Sequence, residues 1–363
     1  MIFPGVLGHE RARSVLARVL ASGRLPHAFL FHGPEGVGKG LVARLFAVSL
    51  VCTEPAGDAT GCGSCAACRK AAHGNHPDVL VVSRLPKKEK RADAGLEDGD
   101  DDDGEDASAS KGGELRPFIV VQQIRELNHH AAYAPREGRR RVFLVEPADR
   151  MNAESQNALL KTLEEPPGQA VIVLVASRPH VLLPTVRSRC FQIGFGAMSP
   201  DELALGLVER GLPPQEARTR AALAEGRPGR ALSLDLPALA RRRDLLLTSL
   251  EALAASPRAA ADLAAYADQV LGEGETDLLE GLDLVMALLR DAARVASGRG
   301  AILHADVAPR IEKLGLGLGA ERAMEIAALA DRLRGDLRLN INRTLLCETL
   351  LAAVAGGPLP ALA

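Results

Sequence analysis

Ala28-Phe29-Leu30-Phe31-His32-Gly33-Pro34-Glu35-Gly36-Val37-Gly38-Lys39-Gly40 decides how the rest of the chain is read. A short apolar run predicts a buried strand, a glycine-rich turn follows at once, and Leu41 to Val51 continues with apolar residues at helical intervals. Strand, loop and helix carrying G-x-x-x-x-G-K form a phosphate-binding P-loop. Its glycines let backbone N–H groups curl round phosphate oxygens, the lysine neutralises them, and the helix N-terminus adds the positive end of its dipole. Gly33, Gly36, Gly38, Lys39 and Gly40 are therefore candidate nucleotide-binding residues, with ATP or ADP as the ligand class and occupancy left open. Gly40 stands where a hydroxyl normally holds magnesium, which weakens metal placement more than phosphate binding.

Outward from that loop, short apolar runs recur at Val79 to Val82, Val142 to Val145 and Val171 to Ala176, with helical stretches such as Asn152 to Glu164 between them. The alternation predicts an α/β domain, a parallel sheet with helices on both faces. A hydrolysing P-loop also needs a carboxylate at the end of a neighbouring strand to hold magnesium, often followed by one that activates water. Glu146 follows the strand beginning at Arg141 and is the candidate magnesium contact, but Pro147 comes next and cannot act as a base. Asp149 is expected to serve as a turn or helix-cap residue. Gly40 and Pro147 together predict a fold that is kept while the catalyst is lost.

Cys52, Cys62, Cys65 and Cys68 are four of only six cysteines in 363 residues, too few for a disulfide scaffold and spaced C-x9-C-x2-C-x2-C. Gly57, Gly61 and Gly63 supply turns that fold four thiolates round one ion. Four thiolates suit tetrahedral Zn2+ with no open position, so the site is expected to be structural. The Cys-Pro of the ferredoxin pattern, which would favour an iron–sulfur cluster, is absent. His73 and His76 beside the cluster are read as loop residues, and Cys190 and Cys347 as small buried ones.

Residues 87–114 change character, running as a charged tract with Leu96 as its one core-forming side chain, and are expected to be a disordered acidic insertion. The strand signal ends at Phe195. Ser199-Pro200-Asp201-Glu202 then starts a helix with a Ser cap and acidic first turn. A break at Gly226 to Gly229 follows, and from Leu239 the pattern is helical to Val354, with expected interruptions at Gly272 to Gly274, Gly298 to Gly300 and Gly315 to Gly319. The expected organisation is a P-loop domain over 1–195, with its cysteine module at about 52–76, a helical lid over 196–238 and an all-α domain over 239–363.

Lys and Arg total 44 against 46 Asp and Glu, a net charge of -2, which excludes a chain that coats nucleic acid by charge alone. That balance is an average over unlike parts: residues 87–114 hold 5 bases and 11 acids, so the remainder carries -2 + 6 = +4. No apolar run reaches the roughly 18 residues of a membrane span, and Met1 to Val15 lacks a basic region followed by an apolar stretch, so a cytoplasmic location is expected.

The P-loop strand, the four-cysteine insertion, Asn157 to Pro167 and Ser188-Arg189-Cys190 occur in the order of the bacterial clamp-loader subunits of the AAA+ class, which the chain resembles. The likeness starts at Leu25-Pro26-His27, passes through Gln123 to Leu127, reaches Asn340 to Arg343, and is closest to the delta-prime type of DNA polymerase III. It implies an AAA+ fold with lid and collar, and a replisome partner at the nucleoid that is no ATPase by itself but an accessory subunit of a DNA-directed DNA polymerase. The implied partners are tau/gamma-type motor subunits, the delta subunit, the sliding clamp and primed DNA. It further implies that Arg189 is an arginine finger acting in trans on a neighbour's ATP site, and that Arg230 is the lid arginine that senses nucleotide in active relatives. An active tau/gamma-type motor and a zinc-dependent DNA-binding module are the alternatives. Gly40 and Pro147 favour the delta-prime type, since motors keep the hydroxyl and an acidic pair.

Overall fold

Alternate residues of the first strand serve two different cores, and this sets the architecture. In the computed structural model, which describes residues 3, 5–55, 60–86, 115–255, 275–298, 300, 302–336 and 342–357, Ala28–His32 forms β1. Phe29 and Phe31 pack with Phe46 and Val42 on one side, and Ala28 and Leu30 with Ile124 and Leu159 on the other. The rings of Phe29 and Phe46 lie edge to face at 5.0 Å. This period of two places helices on both faces of the sheet, as a strand buried on both sides requires.

The chain divides into two compact units, residues 1–232 and 233–363. In the first, β1 joins β2 (Val79–Val82), β3 (Arg141–Val145), β4 (Ala170–Ala176) and β5 (Phe191–Gly194) in a sheet of order β2-β3-β4-β1-β5. All pairs are parallel. Every residue of β3 and β4 is buried, which is why both read as unbroken apolar runs. Helices α1 (Glu10–Ser22) and α2 (Lys39–Val51) share the core of Phe29, while α4 (Val121–Ala131) and α5 (Ala153–Glu164) share that of Leu30. Between α2 and β2 lies the short α3 (Ala66–Ala72). Asn152 caps α5, its side chain accepting from Ser155 N–H at 2.8 Å.

β5 is not among the apolar runs named from the sequence, although it falls just before Phe195, where the strand signal ends. Only Ile193 of its four residues is buried, so the edge strand lacks the continuous apolar run of its neighbours. It follows α6 (Pro184–Ser188). Beyond it, α7 (Pro200–Glu209) begins in the expected way: Ser199 Oγ accepts from Glu202 N–H, and Ser199 N–H donates to Glu202 Oε2 at 3.0 Å. Then come α8 (Pro214–Leu223) and α9 (Pro228–Ser233). The break before α9 is enforced by Gly226, whose φ is 74° and where a Cβ would lie 1.9 Å from the carbonyl oxygen of Met198.

The second unit is helical among its described residues: α10 (Leu236–Ala255), α11 (Glu275–Ala296), α12 (Ala308–Leu318), α13 (Ala320–Asp336) and α14 (Arg343–Val354). Leu282, Leu288 and Leu289 of α11 are fully buried at the centre of an aliphatic core to which all five contribute. The interruption expected over Gly315 to Gly319 is present but confined to Gly319: α12 runs through Gly315 and Gly317, and α13 starts at Ala320. A Cβ on Gly315 would sit 2.5 Å from Ala292 O, so this glycine lets α12 approach α11 rather than ending the helix. The interruption at Gly298 and Gly300 is present, both at positive φ after α11. Gly272 to Gly274, the acidic insertion 87–114, Gly57, Asn340 and Ile341 lie outside the described residues. None of the described helices is long and apolar enough to cross a membrane.

Candidate functional site: a P-loop cleft and a four-cysteine knuckle

The P-loop leaves the C-terminal end of β1, the end at which open α/β sheets bind ligands. Two backbone contacts clamp it. Gly33, at φ 147°, lies against Phe195, whose carbonyl oxygen would be 1.9 Å from any Cβ added there. Gly36 O accepts from Gly229 N–H at 2.8 Å, so the start of α9 sits directly on the loop. Backbone occupies the side-chain space at Gly33 and at Gly229, where a Cβ would lie 2.9 Å from Gly36 O, while Gly36 is held at a φ of 78° that favours glycine. His9 Nε2 bonds Val37 O at 2.6 Å, and burial lowers its imidazole below the ordinary range.

The side chains that should meet phosphate and magnesium are each engaged within the chain. Lys39 Nζ donates to Gly33 O at 2.8 Å, Pro34 O at 2.7 Å and Ser177 Oγ at 3.2 Å, using all three of its donors. Burial pushes its ammonium below the ordinary lysine range, against the pull of Glu35, Asp149 and Glu146. Glu146 leans over Gly40, its Oε1 2.1 Å from where a Cβ would stand, and Oε2 accepts from the Arg44 guanidinium at 2.8 Å. The missing hydroxyl is thus also the room that a carboxylate uses to reach an arginine. A guanidinium beside Glu146 supplies the positive charge that a metal ion supplies in a hydrolysing site.

A cleft of about 440 Å³ opens here, lined by Gly36, Gly38, Lys39, Gly40 and Glu146 among the expected residues, and also by Arg44, Arg84 and Ser177. Gly33 is not on its wall because it lies against Phe195, and Arg230 is absent because α9 presents Gly229 instead. Arg230 belongs to the contact with the loop, its backbone N 3.5 Å from a Cβ position on Gly36. Asp149 sits on a turn, one of the two places expected for it, and anchors the neighbouring loop as well. It is buried on a 3-10 turn, accepts from Ser177 N–H at 3.1 Å and pairs with Arg178 at 3.3 Å, fixing the residue that Lys39 touches. Sequence reading passed over Ser177, Arg44 and Arg84. Only Ser177 had a local signal, a polar residue directly after the fully apolar β4.

Arg189 ends α6 away from this cleft. Its guanidinium donates to Thr185 O at 3.0 Å and pairs with Glu164 at 2.6 Å, with side-chain exposures of 36% and 49%.

The four cysteines converge as the spacing required. Sγ of Cys52 lies 3.7 Å from that of Cys62 and 3.9 Å from that of Cys65, Cys62 lies 3.9 Å from Cys68, and all four fall within 4.8 Å of one another. A tetrahedron with metal–sulfur bonds of about 2.3 Å has edges of roughly 3.8 Å, so the donor set fits one thiophilic ion. The backbone is already turned to thiolates: N–H of Cys62, Cys65 and Cys68 points at Sγ of Cys52, Cys62 and Cys65 at 3.4, 3.3 and 3.4 Å. Burial opposes the charge on Cys65, but the Cys68 and Thr53 donors outweigh it and pull its thiol down to about 5. Among the described residues His73 and His76 stand outside this set, His73 at the end of α3 and His76 buried with Nδ1 accepting from Asp78 N–H at 3.0 Å. Cys190 and Cys347 are buried, and burial raises the Cys190 thiol to about 12.

Comparison with known proteins agrees with this arrangement. A family described as DNA polymerase III, delta subunit, matches residues 8–199. DNA polymerase III subunit delta' of Pseudomonas aeruginosa is 32% identical over 340 residues, covering 92% of this chain and 93% of that one. Subunit delta' of Bacillus subtilis is 31% identical over 57% of this chain and 54% of its own length. Subunit tau of Escherichia coli is 32% identical over 80% of this chain, a stretch that is 40% of that protein. With a parallel sheet, a P-loop and a cysteine knuckle in one unit, and these matches running through it, the chain belongs to the DNA polymerase III delta-prime subunit family.

Proposed function

We propose that the chain is a non-hydrolysing subunit of the clamp loader of DNA polymerase III, working beside tau/gamma-type motor subunits and delta to place the sliding clamp on primed DNA at the replisome. Residues 1–195 form its AAA+ domain, 196–238 its lid and 239–363 its collar. Cys52, Cys62, Cys65 and Cys68 hold a structural Zn2+, which would staple the polar segment after α2 to the sheet. The observation that carries the non-hydrolysing reading is the Arg44–Glu146 pair across Gly40. A motor subunit needs a hydroxyl and an open carboxylate there, and a base where Pro147 stands. Nucleotide reaching Gly36, Gly38, Lys39 and Gly40 would be held without a means of hydrolysis.

Arg189 is the arginine finger for a neighbour's ATP site. A guanidinium aimed at a transferring phosphoryl group stabilises transition-state charge and is worth roughly 10³ to 10⁵ in rate. Its exposed partner Glu164 is easily left, since surface pairs contribute about 0 to 1 kcal/mol. In a reconstituted loader, Arg189→Ala should assemble normally while turnover at the neighbouring site falls by roughly 10³-fold and clamp loading is lost. Full loading by that complex would remove Arg189 from the chemistry.

A further inference from the structure

A second charged surface lies apart from the cleft and does not depend on how the cleft is read. Segments 60–75 and 132–140 meet where Lys70 Nζ of α3 pairs with Glu137 Oε2 at 2.6 Å. Together they carry Arg69, Lys70, Arg136, Arg139 and Arg140 against a single acid, Glu137, which Lys70 already holds. Arg69, Lys70, Arg136 and Arg139 are exposed, and Arg140 is half-buried. Among the described residues, none of the four arginines pairs with a carboxylate. Their contacts are to backbone oxygens, Arg69 to Ser64 and Arg139 to Ser49 at 3.4 Å.

The fold holds this surface in place. Asp78, fully buried before β2, accepts from three successive backbone N–H groups, those of Arg136, Glu137 and Gly138, at 2.7, 2.8 and 2.8 Å. Burial works against its charge, but the three amides outweigh burial and keep the carboxyl below its usual range. Gly138 backs onto α2, where a Cβ would stand 3.0 Å from that of Val51. The arginine loop is therefore pinned by a core carboxylate on one side and by the cysteine-bearing segment on the other. Guanidinium groups on a fixed backbone lose less freedom on binding than those on a loose loop.

We propose that this face, formed by α3 and the loop leading into β3, docks on the phosphate backbone of duplex DNA. Arginine's planar fork matches phosphate oxygens, and four of the five cations are arginine. A protein partner would need an apolar centre, and Tyr133 is the one large apolar side chain exposed in the two segments. The contact carries no base recognition, so its mark is salt dependence rather than sequence preference.

Fluorescence anisotropy of the full chain with labelled duplex DNA, from low to physiological salt, tests this. Each cation–phosphate contact adds about 0.9 to the slope of log affinity against log salt, so the triple variant Arg136→Gln, Arg139→Gln, Arg140→Gln should bind with a slope shallower by about 2 to 3. Glu137→Gln frees Lys70 and removes the lone acid. It should bind more tightly, with a slope steeper by up to about 1, a gain that misfolding cannot produce. No binding by the parent chain at low salt, or equal slopes in all three proteins, would overturn the proposal. So would binding to polyglutamate with no binding to DNA, which would assign the surface to an acidic protein.

Discussion

The P-loop cleft and the cysteine knuckle lie at the two ends of α2, Lys39 beginning the helix and Cys52 following it, yet they treat their polar groups in opposite ways. In the cleft each ligand-type side chain has found a partner within the chain. Lys39 is bound to two carbonyls and a serine, and Glu146 is bound to Arg44 across the space left by Gly40. In the knuckle four sulfur atoms meet three backbone N–H donors, and among the described residues no Lys, Arg or His side chain bonds to the sulfurs. A motif can thus keep its backbone while its side chains are engaged within the chain. A donor set of this kind could hold a metal ion.

Substitutions in the two places should therefore differ in size. Cys65→Ser should abolish binding of one zinc per chain, measured by metal analysis, and destabilise the first unit by several kcal/mol in thermal unfolding, because metal binding to such a site is folding free energy. A chelator should do the same to the parent chain and add nothing to the variant. Equal stability of the two proteins would remove the structural metal from the account. Gly40→Thr should cost less than about 1 kcal/mol, since the atoms it displaces are the end of a flexible, exposed ion pair. It should also bring no ATP turnover, because Pro147 still stands where a base is required. Turnover gained by this one change would mean that the hydroxyl alone was missing.

How much of this could be read beforehand follows from how local each signal is. β1, β2, β3 and β4, the helix α5 and the capped start of α7 were legible because runs of apolar residues and caps act within a few positions. The knuckle was legible because ligand spacing is itself local. β5 was legible only as the end of the strand signal at Phe195, since an edge strand with one buried residue has no apolar run to show. Gly315 was misread because a glycine that ends a helix and one that admits a neighbouring helix look alike until Ala292 is seen across the gap. In the cleft the loop was visible and the pairing of its side chains was not: Arg44 and Glu146 stand 102 positions apart, and Asp149, on the turn expected of it, also anchors Ser177. The arginine loop likewise depends on Asp78, 58 to 60 positions before the amides it binds.

The central claim is that this chain gives a clamp loader position and an arginine but no ATP hydrolysis of its own. The most direct test is ATP turnover of a reconstituted loader in which Lys39→Met is introduced in this chain alone, a change that keeps the apolar stem of the side chain. The account predicts DNA-stimulated turnover equal to that of the parent complex. A loss of turnover in a complex that assembles normally would show that the cleft of this subunit hydrolyses ATP, and would contradict the account.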